Sequence, residues 1–203
     1  MPDDALLRED EVDRDPIVQV RAWLADAVAA GVHLPEAVAL ATVSAAGAPS
    51  VRMVLLKEVD ERGFVFFTNR SSRKGRELEA VARAALVAYW APLGRQVRAE
   101  GPVAPVPDAE SDAYFATRPR GSQIAAWASP QSARVAGRSE LDRRVADAEA
   151  RHGVGPVPRP PFWGGYRLSP EAIELWQHRE SRLHDRLLYS RTERGWALTR
   201  LGP

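Results

Sequence analysis

The order of apolar and polar positions divides the chain into helical and extended stretches. Ile17, Val20, Leu24 and Val28 recur at helical spacing and predict a helix with one apolar face, capped by Asp15, entered through Pro16 and stopped by Gly31. From residue 37 the period changes. Short apolar runs at 37–43, 51–59 and 64–68, separated by the turns Ala45-Ala46-Gly47-Ala48 and Glu61-Arg62-Gly63, predict a meander of antiparallel strands. A short helix at 72–81 follows, capped by Ser72, and then a hairpin of 85–90 and 96–102 around Ala91-Pro92-Leu93-Gly94. Helices are predicted at 108–117 and 139–152, the second with Ser139 and Asp142 at capping-box spacing and Gly153 as its stop. The proline-rich stretch 155–161 is a rigid connector, and strands are predicted at 165–168, 172–176, 187–190 and 196–201. These short strands with a few helices between them define a mainly β, α+β chain: a closed or partly closed antiparallel barrel with helices outside. The regular strand–helix alternation of a doubly wound parallel sheet is missing.

Composition narrows the function classes. The 203 residues make one domain at 15–203 behind a flexible arm at 1–14. With no cysteine, disulfides, thiolate zinc sites, iron–sulfur clusters and cysteine nucleophiles are excluded. A net charge of +1 gives no overall field to recruit nucleic acid or an acidic membrane. No apolar run reaches the ~18 residues of a membrane span, and the acidic N-terminus is unlike a secretory signal, so the expected location is cytoplasmic. The dinucleotide fingerprint, the phosphate-binding loop of nucleotide hydrolases, the nucleophile elbow and the zinc-protease helix are all missing. The four histidines (His33, His152, His178, His184) lack metal-ligand spacing. Any phosphate must therefore be held by side chains.

Such side chains are present. Arg52 and Lys57 interrupt an otherwise apolar strand, and burying either unpaired would cost on the order of several kcal/mol, so an anion is expected nearby. The structural alternative is that each reaches solvent at its own strand end. The following loop places Arg70, Arg73, Lys74 and Arg76 beside Ser71 and Ser72, either a phosphate cradle at a helix start or a solvated basic helix. Tyr114, Arg118 and Ser122 converge on a second anion if the turn after Thr117 stays tight. Arg182, His184 and Arg186 alternate and would share one face of an extended strand. Trp90, Trp163 and Trp176 add aromatic surface; together with two anion sites they suggest a phosphorylated planar cofactor and a phosphorylated substrate.

The segments RMVLLK (52–57), FFTNRSSRKGREL (66–78), GRQVRAEG (94–101), YFATRPRGSQIAAWASPQS (114–132), PFWGGYRL (161–168), ELWQ (174–177) and RLHDR (182–186), in this order, resemble the pyridoxine/pyridoxamine 5′-phosphate oxidase family. The resemblance runs from about residue 15 to 203. It implies a split β-barrel homodimer with FMN at the subunit interface. Arg52, Met53, Val54, Leu55, Leu56, Lys57, Phe67, Thr68, Arg73, Lys74, Gln131 and Ser132 would hold the cofactor, with Gln96, Trp176 and Arg186 meeting it from the partner side. Lys57, Tyr114, Arg118 and Ser122 would take the substrate phosphate, and Arg182 and His184 would lie over the substrate's ring and its hydroxyl or amine as catalytic residues. The implied reaction is oxidation of pyridoxine or pyridoxamine 5′-phosphate to pyridoxal 5′-phosphate by O2, giving hydrogen peroxide. Two departures stand out: residues 1–16 contain no tyrosine and hence no Arg-x-x-Tyr lid motif, and Phe67 stands where tyrosine is common. The alternatives are a phenazine-type flavin oxidase on the same scaffold and a non-catalytic FMN- or pyridoxal-phosphate-binding protein.

Overall fold

In the computed structural model, which describes residues 6–203, helix α1 (Pro16–Ala29) starts as its sequence dictates. The Asp15 carboxylate accepts from the Ile17 N–H at 2.9 Å, and Pro16 occupies the first turn, where its missing N–H costs no bond. The buried face is Ile17, Val20, Trp23 and Ala27. Val28, expected on that face, is 62% exposed. The helix is rolled about its axis because the Trp23 indole buries far more area than a valine.

Nine strands follow: β1 (Ala37–Val43), β2 (Pro49–Asp60), β3 (Gly63–Asn69), β4 (Arg83–Trp90), β5 (Arg95–Pro105), β6 (Trp163–Leu168), β7 (Ala172–Gln177), β8 (Asp185–Thr192) and β9 (Gly195–Arg200). All pair antiparallel. The order β4-β1-β2-β3-β6-β5, closed by β5 on β4, forms a six-stranded barrel, and β7, β8 and β9 extend it from β5. β5 is shared between two neighbours along its length: 95–100 pair with β7, and 103–105 pair with β6. Inward-facing Leu40, Leu56, Phe64, Phe66, Leu86, Val97 and Leu168 fill the barrel. This is the split-barrel architecture expected, and each of the nine strands overlaps one of the extended segments predicted from the sequence.

Helix α2 (Arg73–Ala80) leaves β3 through a buried Ser72 cap, whose hydroxyl accepts from the Gly75 N–H. Between β5 and β6 lie α3 (Asp108–Thr117), α4 (Arg120–Ala128) and α5 (Arg138–His152). They bury a second apolar cluster of Phe115, Ile124, Ala128, Ala148, Val157 and Trp163 against the barrel wall. α4 was not expected from the sequence, and the capping box on α5 does not form. That helix begins one residue earlier, at Arg138, and the Glu140 carboxylate accepts the Ala136 N–H instead. The described part of segment 1–14 contacts β8 and β9: the Leu7 N–H donates to Asp185 at 3.3 Å, and Arg200 pairs with Glu9 at 2.8 Å. Among the described residues no helix is long and apolar enough to cross a membrane.

Candidate active site

The barrel wall and the helical layer leave a cavity of about 620 Å³ between them. β2 contributes Met53, Val54, Leu55 and Lys57; β3 and α2 contribute Phe67, Thr68 and Lys74; α3, α4 and the loop beyond contribute Tyr114, Arg118, Ser122 and Gln131. The register of β2 against β3 shifts between Leu56 and Glu58, a bulge at Lys57. Leu56 stays in the core, while Lys57 turns to the cavity rim, 4.0 Å from Glu36. α3 ends at Thr117 and α4 starts at Arg120, so Arg118 sits in a two-residue joint with Tyr114 and Ser122 one turn to either side. The tight turn expected there is this joint.

Charge in the cavity is one-sided. Lys57, Lys74 and Arg118 line it, and among the described residues no aspartate or glutamate does. Lys74 is 7% exposed, and its ammonium donates to Gln131 Oε1 at 2.7 Å, Thr68 Oγ1 at 3.0 Å and Ser72 Oγ at 3.3 Å, all neutral oxygens. Burial, reinforced by the charge of Arg52, pulls its pKa down to about 8. Arg118 Nη1 is buried without a hydrogen-bond partner. A buried cation facing no anion is the arrangement expected of a site that awaits one.

Arg52 and Arg73 do not line this cavity. Both donate to Glu77, which is 6% exposed and also accepts from Thr42 and Ser50. Burial alone would raise the Glu77 carboxyl; the hydrogen bonds from Ser50, Thr42, Arg73 and Arg52 hold it instead at about 2. Ser132, with φ of 69°, also lies outside the lining. Trp90, a sequence candidate for aromatic contact, is a core residue whose indole N–H donates to Pro35 O. Asn69, Thr117, Ser129 and Trp163 line the cavity as well. Of these, Trp163 alone had been singled out in the sequence, by its aromatic side chain.

A second group lies on the β5-β7-β8 sheet and shares no residue with the cavity lining. Gln96 pairs with Trp176, and Trp176 with Arg186, across adjacent strands. The Trp176 ring is 4.6 Å from His184, and His178 is 5.2 Å from His184. Arg186 is committed to the buried Glu174 through Nε at 2.9 Å and Nη2 at 3.2 Å. The expected single strand face for Arg182, His184 and Arg186 is not formed: residues 180–182 make a 3₁₀ turn, Ser181 and Arg182 adopt φ of 55° and 63°, and β8 starts only at Asp185. Within one chain, then, the cationic residues of the cavity and the Arg182–His184 loop lie in separate places.

A closed antiparallel barrel is thus flanked by a cavity that is cationic and, among the described residues, free of carboxylates, a setting whose chemistry suits a phosphorylated small molecule. Residues 24–152 match the family model for pyridoxamine 5′-phosphate oxidase, and residues 163–203 match the pyridoxine 5′-phosphate oxidase C-terminal dimerisation region. The chain belongs to the pyridoxamine 5′-phosphate oxidase family. It is 58% identical to the pyridoxine/pyridoxamine 5′-phosphate oxidase of Rubrobacter xylanophilus, over 97% of this chain and 91% of that one. The enzyme of the same name from Thermosynechococcus vestitus is 56% identical, over 97% and 93%. Among solved structures, PhzG from Burkholderia lata 383, in complex with tetrahydrophenazine-1-carboxylic acid, superposes with a TM-score of 0.92 at 37% identity, covering 98% of each chain.

Proposed function

We propose that this chain is an FMN-dependent oxidase that converts pyridoxine or pyridoxamine 5′-phosphate to pyridoxal 5′-phosphate as a homodimer. The observation that carries the reading is a cavity lined by Lys57, Lys74 and Arg118 and, among the described residues, by no carboxylate, with the Lys74 ammonium buried against neutral oxygens only. These groups fit ligands that carry phosphate. Lys74, Thr68 and Gln131 would hold the phosphate of FMN, with the β2 segment 53–55 along its ring system; Arg118, Tyr114, Ser122 and Lys57 would hold that of the substrate. FMN, when bound, supplies the two-electron acceptor for hydride from the substrate's C4′ carbon and passes those electrons to O2 as hydrogen peroxide.

The chain's own contribution is placement and proton position. The Arg179 N–H donates to His184 Nδ1 at 3.1 Å, so in the neutral ring the proton sits on Nε2. Burial, then His178 and Arg182, lower the His184 pKa, which keeps that ring neutral and its Nε2–H a donor near neutral pH. Arg182 places a fixed positive charge two residues away. Neither residue lines the cavity of its own chain, so the partner subunit would supply this loop to complete each site.

A phosphorylated substrate accounts for Tyr114, Arg118 and Ser122 in a way that a phenazine carboxylate, with no phosphate, does not. The test is aerobic turnover by the flavin-loaded protein with each phosphorylated vitamer. Pyridoxal 5′-phosphate with stoichiometric peroxide is expected. Bound flavin with no product from either vitamer sinks the reading. Arg182→Ala is expected to lower turnover by about a hundredfold or more while FMN affinity changes little, the split left when a group over the reacting carbon is removed.

A further inference from the structure

Arginines are held in place here in two ways. Arg52 and Arg73 are fixed by a carboxylate, donating to Glu77 at 3.1 and 2.8 Å. An ion pair immobilises a guanidinium, but it also cancels its charge and occupies its N–H donors. Arg118 is held by rings. Its guanidinium carbon lies 4.9 Å from the Trp163 ring centroid and 5.5 Å from that of Phe115. A ring face takes the flat side of the guanidinium and leaves the in-plane N–H groups open. Accordingly, Nη1 is buried with no partner.

Trp163 is itself immobile. It is 6% exposed, stacks near-parallel on Phe67 at 5.4 Å and on Tyr114 at 6.1 Å, and meets the edge of Phe115 at 5.0 Å. Its carbonyl accepts from Arg159 at 2.6 Å, and Arg159 is anchored in turn by Asp108 and Asp112. One indole therefore touches two of the groups assigned to the substrate phosphate, Arg118 through its face and Tyr114 by stacking.

We propose that Trp163 is the positioning residue that sets the preference for a phosphorylated substrate, because it orients Arg118 without neutralising it. The proposal rests on the reading that Arg118 and Tyr114 bind the substrate phosphate. In Trp163→Leu the ratio of kcat/KM for pyridoxine 5′-phosphate over pyridoxine is expected to fall about tenfold. Trp163→Phe keeps a ring face and is expected to lose about two- to threefold. In an Arg118→Ala background the same Trp163 changes are expected to lower the ratio by clearly less than in the wild-type background, because the guanidinium that the indole face orients is gone and only the Tyr114 contact is left; an equal fall in both backgrounds overturns the proposal.

The ratio is also read at equilibrium, from fluorescence titration of pyridoxal 5′-phosphate against pyridoxal, which requires no turnover. A wild-type protein that binds but does not oxidise would end the oxidase reading, while the binding ratio still judges Trp163. An indole with a merely structural role lowers phosphorylated and unphosphorylated ligands together. An unchanged ratio in Trp163→Leu, or in Trp163→Phe should the leucine variant not fold, overturns the proposal.

Discussion

Lys74 and Glu77 stand three residues apart on α2, and burial acts on both in opposite directions of charge. Lys74, ordinarily near 10.5, is brought to about 8, so the cavity loses a positive charge as pH rises through that value. A phosphate bound beside Lys74, as proposed, would favour the charged form and restore the proton. FMN affinity of the apoprotein is therefore expected to hold steady from pH 7 to 8 and then weaken by up to about tenfold per pH unit, checked by flavin fluorescence titration. Lys74→Met should bind weakly and lack that slope. Glu77 has the reverse linkage. Its folded value of about 2 lies below the ordinary 4.5, so its contribution to stability is complete above pH 4.5 and is lost as pH falls toward 2. Glu77→Gln leaves Arg52 and Arg73 without their carboxylate and is expected to cost on the order of 3 kcal/mol in denaturant unfolding at pH 7. The gap from wild type should begin to narrow near pH 4.5 and keep narrowing as pH is lowered toward 2.

At the scale of elements, α2 depends on how closely it follows the strand before it. A Cβ on Gly75 would lie 2.0 Å from the Arg70 carbonyl oxygen, a backbone atom that cannot swing aside. Gly75→Ala must push α2 away from the 69–72 turn and move Lys74 with it. The expected result is weaker FMN binding together with a lowered melting temperature, both measurable on one preparation. The strands, α1 and α2 were legible in the sequence because their signals are local: alternation along 37–43, and Asp15-Pro16 or Ser72 at a helix start. α4 was not. Its two buried residues, Ile124 and Ala128, make a single i,i+4 pair that is too short to stand out from a turn. The 180–182 turn was hidden for another reason. Ser181 and Arg182 hold left-handed φ without being glycine, so nothing in their identity announces it, and R-x-H-x-R read as a strand. Tyr114, Arg118 and Ser122 were found because a tight joint was the simplest way to bring them together. Trp163 was visible as an aromatic side chain, but its hold on Arg118 needed the fold.

For the whole molecule, Val51, Met53 and Leu55 are 68%, 63% and 36% exposed along one face of β2, with Tyr89 of β4 at 58%. A row of apolar side chains leading into a ligand cavity is what a second copy of the chain would cover. Met53→Glu is expected to yield a folded monomer in sedimentation that no longer retains flavin; a fully flavinated monomer would refute the shared site. The barrel's closure has a further consequence, for kinetics. Phe66 on β3 pairs with Tyr166 on β6, about a hundred positions later, whereas β1, β2 and β3 are joined by turns of a few residues. Contacts so far apart in sequence form late, because the intervening chain must surrender its freedom before they return anything. Phe67 and Trp163 stack across that seam. In a refolding chain the meander of β1 to β3 is therefore expected to gain amide protection before the β3–β6 seam and the cavity floor beside it, an order that pulsed hydrogen exchange reads directly.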